Sequence, residues 1–405
     1  MKILIAIDTY QTTNNGTSIS AQRYAEVLRQ NGHEVRILSV DSEHYRLAER
    51  HIYPFNSLIH KHGFRFANSL SRRSTEVIRE AVSWCDMVHC MMPFMLSNRV
   101  KKMADELSKP ATAAFHIQPE NLTSSVYLGK VAWITDFTYA LFYHMVYKHF
   151  RHVHTPSQFM ADELQKHGYN MVLHPISNGI DPSFRYTKTT RDALTKTTTE
   201  PIRIVMTGRL SHEKRQDLLL RAVQESRYAD RIQLIFAGKG PLYETYKRLG
   251  ERLPLKPIFG YYSREELQQL LSQADLYVHA SDMESEAIGC IEAFATGLVP
   301  VISDSQLSAT RQFALDERSL FEAGNVQSLA EHIDYWIAHP TERKQMEQRY
   351  AEHAKQYHLE GCVRQFERML DREVWEYNHV RINTKTETVC QEKIELSSSL
   401  ALPCY

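Results

Sequence analysis

Twice along its 405 residues this chain runs through the same alternation of short apolar runs and amphipathic stretches, and that doubled rhythm admits few folds. Residues 2–8 read as a buried strand, followed by a polar loop over 9–17 that carries Gly16. The spacing predicts a helix over 18–30, with Ile19, Tyr24, Ala25 and Leu28 on its apolar side and Asn31-Gly32 as its stop. A strand is expected over 33–40, and further apolar runs recur at 87–92 and 111–116. Strands and helices in this order build a parallel sheet covered by helices. The rhythm restarts at Pro201, with strands expected over 202–207, 232–237, 275–280 and 298–302. A helix over 263–274 opens with a Ser263-x-x-Glu266 capping box. The fold class is therefore α/β, with one Rossmann-like domain over 1–185 and a second over 201–358. The polar, threonine-rich 186–200 is the linker between them. The helical pattern of 340–374 breaks near 358–361, and 377–405 reads as a polar tail.

The chemistry concentrates in the second half. Glu284 and Glu292 frame seven residues in Ser281-Asp-Met-Glu-Ser-Glu-Ala-Ile-Gly-Cys-Ile-Glu-Ala-Phe-Ala-Thr-Gly297. A strand precedes them, and a short apolar helix holding Glu292 ends at Gly297, a residue type that stops helices by accepting positive φ. Glu284 is expected in the loop before that helix, beyond the carboxyl end of the strand, where open α/β sheets bind ligands. Carboxylates there accept hydrogen bonds from hydroxyls, and two at a fixed separation suit a ligand with two hydroxylated rings. Upstream, residues 202–224 form a buried strand, then Gly208-Arg209-Leu210, a turn, and Lys214 at the expected start of a helix. A helix N-terminus already favours an anion, and a guanidinium with an ammonium beside it makes a diphosphate clamp. Taken alone, Arg209 and Lys214 could equally be two solvated charges on a surface turn.

Together the two motifs resemble those of the retaining glycosyltransferases called family 4, of GT-B fold, in which two Rossmann-like halves face each other across a cleft. The resemblance covers about 375 residues. It implies that Arg209 and Lys214 hold the nucleotide diphosphate and stabilise its charge as it leaves. It further implies that Glu292 binds the ribose, that Glu284 binds the sugar hydroxyls, and that the amides of Ala287, Ile288 and Gly289 steady the donor. Gly16 would face the donor phosphate, Gly208 and Gly238 would lie in turns beside the nucleotide, and Tyr261 would lie where relatives cradle the base. His116, at the end of a buried strand, would meet the donor sugar or the acceptor. The resemblance also implies a helix over 359–376 that crosses back onto the first domain. Two departures stand out: Arg215 follows Lys214 where the family has glycine, and Ala287 stands where relatives usually carry glycine. Asn178-Gly179-Ile-Asp181 also resembles a family string, with a plain turn as the preferred reading.

The implied activity is retaining transfer of a hexose from a nucleotide sugar, UDP-glucose or UDP-galactose rather than a GDP-sugar, with no metal and no cofactor. Lys+Arg and Asp+Glu both number 48, so no global charge points to nucleic acid. No run approaches a spanning helix, and six scattered cysteines suggest reduced thiols. A cytoplasmic protein, peripheral on the inner face of the membrane, is expected. His149-x-x-His152-x-His154 lacks a fourth ligand nearby and is not read as a metal site.

The first domain bears on the acceptor. Over 46–79, Arg46, Arg50, Lys61, Arg65, Arg72, Arg73 and Arg79 outnumber Glu49 and Glu76, with Tyr53, Phe55, Phe64 and Phe66 interleaved. Residues 133–150 add Trp133, Phe137, Tyr139, Phe142, Tyr143, Tyr147 and Phe150. Basic and aromatic side chains together suit an anionic bilayer; a solvated basic face beside an aromatic core helix is the other reading. Gln118-Pro-Glu120-Asn121 and Glu284-Ser-Glu286 are similar to bacterial family members that glycosylate membrane lipids such as diacylglycerol or ceramide. A glycan-assembly transferase, a sugar-nucleotide epimerase and an idle nucleotide-sugar binder are the alternatives.

Overall fold

The computed structural model describes residues 1–12, 16–51, 65–120, 132–187 and 200–399, with side chains as far as 379. The expected linker therefore lies largely outside the described residues, as do Tyr53, Phe55, Lys61 and Phe64 of the basic stretch. The first half contributes β1 (Lys2–Ala6), β2 (Glu34–Ser39), β3 (Tyr45–Arg46), β4 (Glu49–Arg50), β5 (Phe66–Ala67), β6 (Met87–Cys90), β7 (Ala111–Ala114), β8 (His152–Thr155) and β9 (Val172–Pro175). Seven of these form a wholly parallel sheet in the order β3-β2-β1-β6-β7-β8-β9, while β4 and β5 pair as a small antiparallel ribbon. Both faces are covered. Leu4 and Ala6 of β1 belong to one apolar cluster, and Ile3 and Ile5 to another on the opposite face. That division explains why the strands read as continuous apolar runs.

The second half supplies β10 (Ile202–Thr207), β11 (Ile232–Ala237), β12 (Ile258–Gly260), β13 (Leu276–His279), β14 (Pro300–Ser303) and β15 (Leu320–Phe321), parallel in the order β12-β11-β10-β13-β14-β15. In each sheet the chain first moves outward from a central strand and then returns to its other side. The switch falls between β1 and β6 in one sheet and between β10 and β13 in the other. Crevices open at such points beyond the carboxyl ends of the strands. The helix Arg264–Gln273 carries both halves of its capping box, Ser263 Oγ accepting from Glu266 N–H at 3.2 Å and Ser263 N–H donating to Glu266 Oε2 at 2.7 Å.

The chain crosses between the halves twice, and the crossings lie side by side. Ile180 N–H donates to Tyr357 O at 2.8 Å, and Leu359 N–H donates to Ile180 O at 3.0 Å. Gly179 has φ +76° here, and a Cβ on it would sit 2.8 Å from the Leu359 Cα, so only glycine lets the two segments touch. Ile180 and Phe184 already belong to the second core, and the Tyr186 ring lies against Gly297. Packing thus passes to the second domain several residues ahead of position 185. The last helix, Leu359–Ser399, lays Leu359, Val363, Phe366, Met369 and Leu370 into the first core. It continues through most of the stretch read as a polar tail, which is corrected accordingly. No glycine or proline interrupts 362–402, so nothing in the local sequence stops the helix. Among the described residues no helix is long and apolar enough to cross a membrane.

Candidate active site

The loop after β13 lies at the second switch point. Glu284 is pinned there by its backbone, which bridges to Ser308 and accepts from Ala309 N–H at 2.8 Å. Its side chain is nearly buried. Lys214 Nζ donates to Oε1, and His279 Nε2 lies 3.0 Å from the same oxygen. Burial alone would raise this carboxyl, but the Lys214 ammonium and the His279 ring outweigh it and hold Glu284 well below the usual carboxylate range.

Lys214 does not open the helix as the sequence suggested. It ends a 3-10 turn, His212–Lys214; Arg215 then takes a left-handed conformation (φ +57°), and the helix begins at Gln216. Arg215 spends its guanidinium on Asp282 and Asp217, each at 3.2 Å. Arg209, just after β10, donates to Glu213 at 2.9 Å. The neighbouring turns are joined edge to edge, Gly208 N–H to Ala237 O at 3.0 Å and Gly238 N–H to Gly260 O at 2.8 Å. Tyr261 projects from the end of β12, largely exposed, with the Lys239 ammonium 4.4 Å from its ring centre.

Glu292 lies on the helix Ile288–Ala295, and its partner comes from the other domain: Arg23, on the helix Gly16–Gln30, is 3.6 Å away. Burial dominates over that guanidinium and pushes the Glu292 carboxyl up to about 7. Ala287, at the cap of this helix, is left-handed (φ +69°, ψ +64°), a conformation glycine takes freely and alanine holds at a cost of roughly 1–2 kcal/mol. The amides of Ile288 and Gly289 lead the helix and have no carbonyl behind them within it.

Sequence reasoning named Glu286 only as part of a family string and gave it no role of its own. Fully buried, it accepts from Asn178 N–H at 3.0 Å, from Asn178 Nδ2 at 2.5 Å and from the Ser177 hydroxyl. The string read as a plain turn is therefore a clasp between the halves. Ser157 Oγ donates to Ser285 O at 2.6 Å and Gln118 Nε2 to Leu307 O at 3.1 Å, so the first domain also holds the Glu284–Glu292 loop and the segment beside Ser308 to which Glu284 bridges.

In the first domain, His116 follows β7 with its ring edge-on to His154, centroids 5.0 Å apart. Burial, then the neighbouring His154 and His89 rings, hold it well below its ordinary value, so it is neutral, and its buried Nε2 has no hydrogen-bond partner among the described residues. Gly16 starts its helix with open space around it. The histidine-rich string is dispersed: His152 bonds His174 and Glu376, while His154 bonds Ile176 O. The aromatic run divides in two. Tyr139, Phe142, Tyr147 and Phe150 are core, whereas Trp133 (70% exposed), Phe137 (62%) and Leu141 (44%) face outward at four-residue spacing along the helix Ala132–Met145.

Comparison with known proteins gives two family matches that meet near the domain boundary. Residues 14–184 match "Glycosyltransferase Family 4" and residues 188–356 match "Glycosyl transferases group 1". A GDP-mannose-dependent alpha-mannosyltransferase from Corynebacterium glutamicum is 26% identical over 317 residues, 75% of this chain and 72% of its own. The Anabaena HepE protein in complex with UDP-glucose superposes over 92% of this chain and 100% of its own, with TM-score 0.70 at 14% identity. The catalytic domain of cholesterol-alpha-glucosyltransferase from Helicobacter pylori is 48% identical across 39% of this chain and 99% of its own, in a superposition (TM-score 0.38) too local to bear on the fold. With two Rossmann-like domains in the GT-B arrangement and family matches running almost continuously from residue 14 to 356, this chain belongs to the family 4 glycosyltransferases.

Proposed function

We propose that this glycosyltransferase moves a hexose from UDP-glucose or UDP-galactose to the hydroxyl of a membrane lipid such as a diacylglycerol or ceramide, retaining anomeric configuration and using no metal. The observation that carries the reading is the Lys214–Glu284 pair at the switch point of the second sheet, with Arg209 in the turn just after β10 and Glu292 on the helix that follows the Glu284 loop. Lys214 and Arg209 take the diphosphate, Glu292 the ribose and Glu284 the sugar hydroxyls. The acceptor oxygen attacks the anomeric carbon as the bond from that carbon to the β-phosphate oxygen breaks. The departing β-phosphate takes the acceptor's proton on the same face, leaving a nucleoside diphosphate and the new glycoside. Cationic side chains fixed where negative charge accumulates supply the stabilisation. The neutral His116, its Nε2 unengaged among the described residues, supplies a hydrogen bond to a hydroxyl in the cleft.

The lipid half rests on Trp133, Phe137 and Leu141, an outward apolar stripe on a helix whose inner face is core, and on the exposed Arg72, Arg73 and Arg79 of the helix Arg72–Trp84. Rings and arginines of this kind hold a protein reversibly on an anionic surface. That surface is the cytoplasmic face of the membrane. The name of the Corynebacterium relative favours GDP-mannose as the competing donor. Incubation with UDP-glucose, UDP-galactose and GDP-mannose, against diacylglycerol or ceramide vesicles and a soluble oligosaccharide, separates the readings by product mass. Transfer from GDP-mannose alone overturns the donor assignment, and transfer to the oligosaccharide alone overturns the acceptor.

A further inference from the structure

Behind Glu284 runs a buried line of side chains that none of the motifs explains. Thr207 Oγ1, at the end of β10, is 2.7 Å from Tyr277 OH on β13. Tyr277 OH is 3.2 Å from His279 Nδ1, and His279 Nε2 is 3.0 Å from Glu284 Oε1. All four residues are buried.

The last link has a fixed direction. Glu284, held ionised beside Lys214, can only accept, so His279 Nε2 carries the proton. On the other side of the ring Nδ1 meets Tyr277 OH, and the phenol oxygen in turn meets the Thr207 hydroxyl. The line therefore runs unbroken through hydrogen-bonding side chains from Thr207 to the Glu284 carboxylate, and His279 is gripped at both ring nitrogens. The line is also walled in: a Cβ on Gly289 would sit 2.2 Å from Thr207 Oγ1, so the helix bearing Glu292 is packed against its far end. The outcome is asymmetric at the carboxylate. Both protein donors, His279 and Lys214, fall on Oε1, and Oε2 takes no partner among the described residues.

We propose that Tyr277 and His279 are positioning residues for sugar transfer. They fix the Glu284 carboxylate so that Oε1 is spent on protein and Oε2 is presented to the donor sugar's hydroxyls. They also keep Glu284 supplied with a second donor when Lys214 turns to the incoming diphosphate. The inference rests on the reading of Glu284 as the sugar-binding carboxylate. It adds a division of labour: the line serves the sugar and leaves the nucleotide alone.

The test compares Tyr277→Phe, His279→Leu, His279→Gln and Glu284→Gln by kcat and KM for the sugar donor, UDP affinity by calorimetry, and thermal stability. A hydrogen bond to a charged group sets the scale, so His279→Leu should lower kcat/KM for the sugar donor by on the order of 10- to 100-fold. UDP affinity should stay within about twofold. His279→Gln, which retains an N–H donor, should recover part of the loss. Tyr277→Phe removes a single oxygen and should give a smaller loss of the same kind, keeping the proposal testable if the leucine variant misfolds. Unchanged kcat/KM in Tyr277→Phe and His279→Gln, or a loss of UDP affinity matching the loss of turnover, overturns the positioning role. Should Glu284→Gln itself leave use of the sugar donor intact, the reading of Glu284 fails first; a damaged Glu284→Gln with undamaged Tyr277 and His279 variants refutes the line alone.

Discussion

Replacing Glu292 by glutamine should make the protein sturdier and its hold on nucleotide weaker. Burial pushes this carboxyl from 4.5 up to about 7, even with Arg23 at 3.6 Å. In the unfolded chain it titrates near its ordinary value. Between those two points the folded state keeps a proton that the unfolded state has lost, so this group's contribution to stability is greatest below about 4.5 and disappears as pH rises through about 7. Glutamine imitates the protonated form at every pH. Each tenfold change in proton affinity corresponds to about 1.4 kcal/mol, which sets a ceiling of roughly 3 kcal/mol for the gain at pH 8 and under about 1 kcal/mol at pH 5. For a domain of this size a kcal/mol moves the melting temperature by about 2–4 °C. The variant should therefore melt several degrees above the native protein at pH 8 and barely above it at pH 5. UDP affinity measured by calorimetry on the same samples should fall, because the amide replaces a carboxylate offered to the ribose. A variant that melts with the native protein at pH 8, or that gains equally at both pH values, refutes the burial argument. Undiminished UDP affinity removes Glu292 from the nucleotide site.

Lys214→Ala should cut turnover by on the order of 10²-fold, and Arg209→Ala similarly. Only the Lys214 variant should also lose stability, because it strands the buried Glu284 carboxylate; adding Glu284→Gln should restore the melting temperature and not the activity. Activity should survive saturating EDTA, since the proposed clamp is built from protein cations; a loss reversed by Mg²⁺ or Mn²⁺ refutes it. Serine at Trp133, Phe137 and Leu141 together should abolish co-sedimentation with anionic vesicles while leaving the melting temperature unchanged, and persistent binding would move the docking surface elsewhere.

What can be read from the chain in advance is whatever depends on near neighbours. The strands announce themselves because both faces of each sheet are covered, and the Ser263–Glu266 box because its two partners are three residues apart. The spacing of Glu284 and Glu292 is equally visible. Their surroundings are not. Lys214 lies 70 residues from Glu284, and Glu286 meets Asn178 across 108, separations that no periodicity encodes. Tyr277 and His279 are hidden for a different reason: in a strand buried on both faces, a polar link between side chains looks like part of an apolar run. Ile180 and Phe184 fall to the first domain when sequence order, rather than packing, draws the boundary. The 377–405 tail misleads because polarity suggests an end to the helix, although nothing in that composition breaks one.

The return of the Leu359–Ser399 helix to the first core has a bearing on how the protein is made. The first domain's sheet is synthesised by residue 175, yet the apolar groove that receives Phe366 and Leu370 stays open until the far end of the chain emerges. At about 5–20 residues per second, the intervening two hundred residues occupy the ribosome for roughly 10–40 s. Throughout that interval the nascent first domain carries an unfilled slot, while the second domain can close as soon as its own strands are complete. The half made first is therefore the half finished last. Gene fragments cut at the linker should give a soluble second half and a sticky first one, which the separately supplied Leu359–Ser399 segment should rescue.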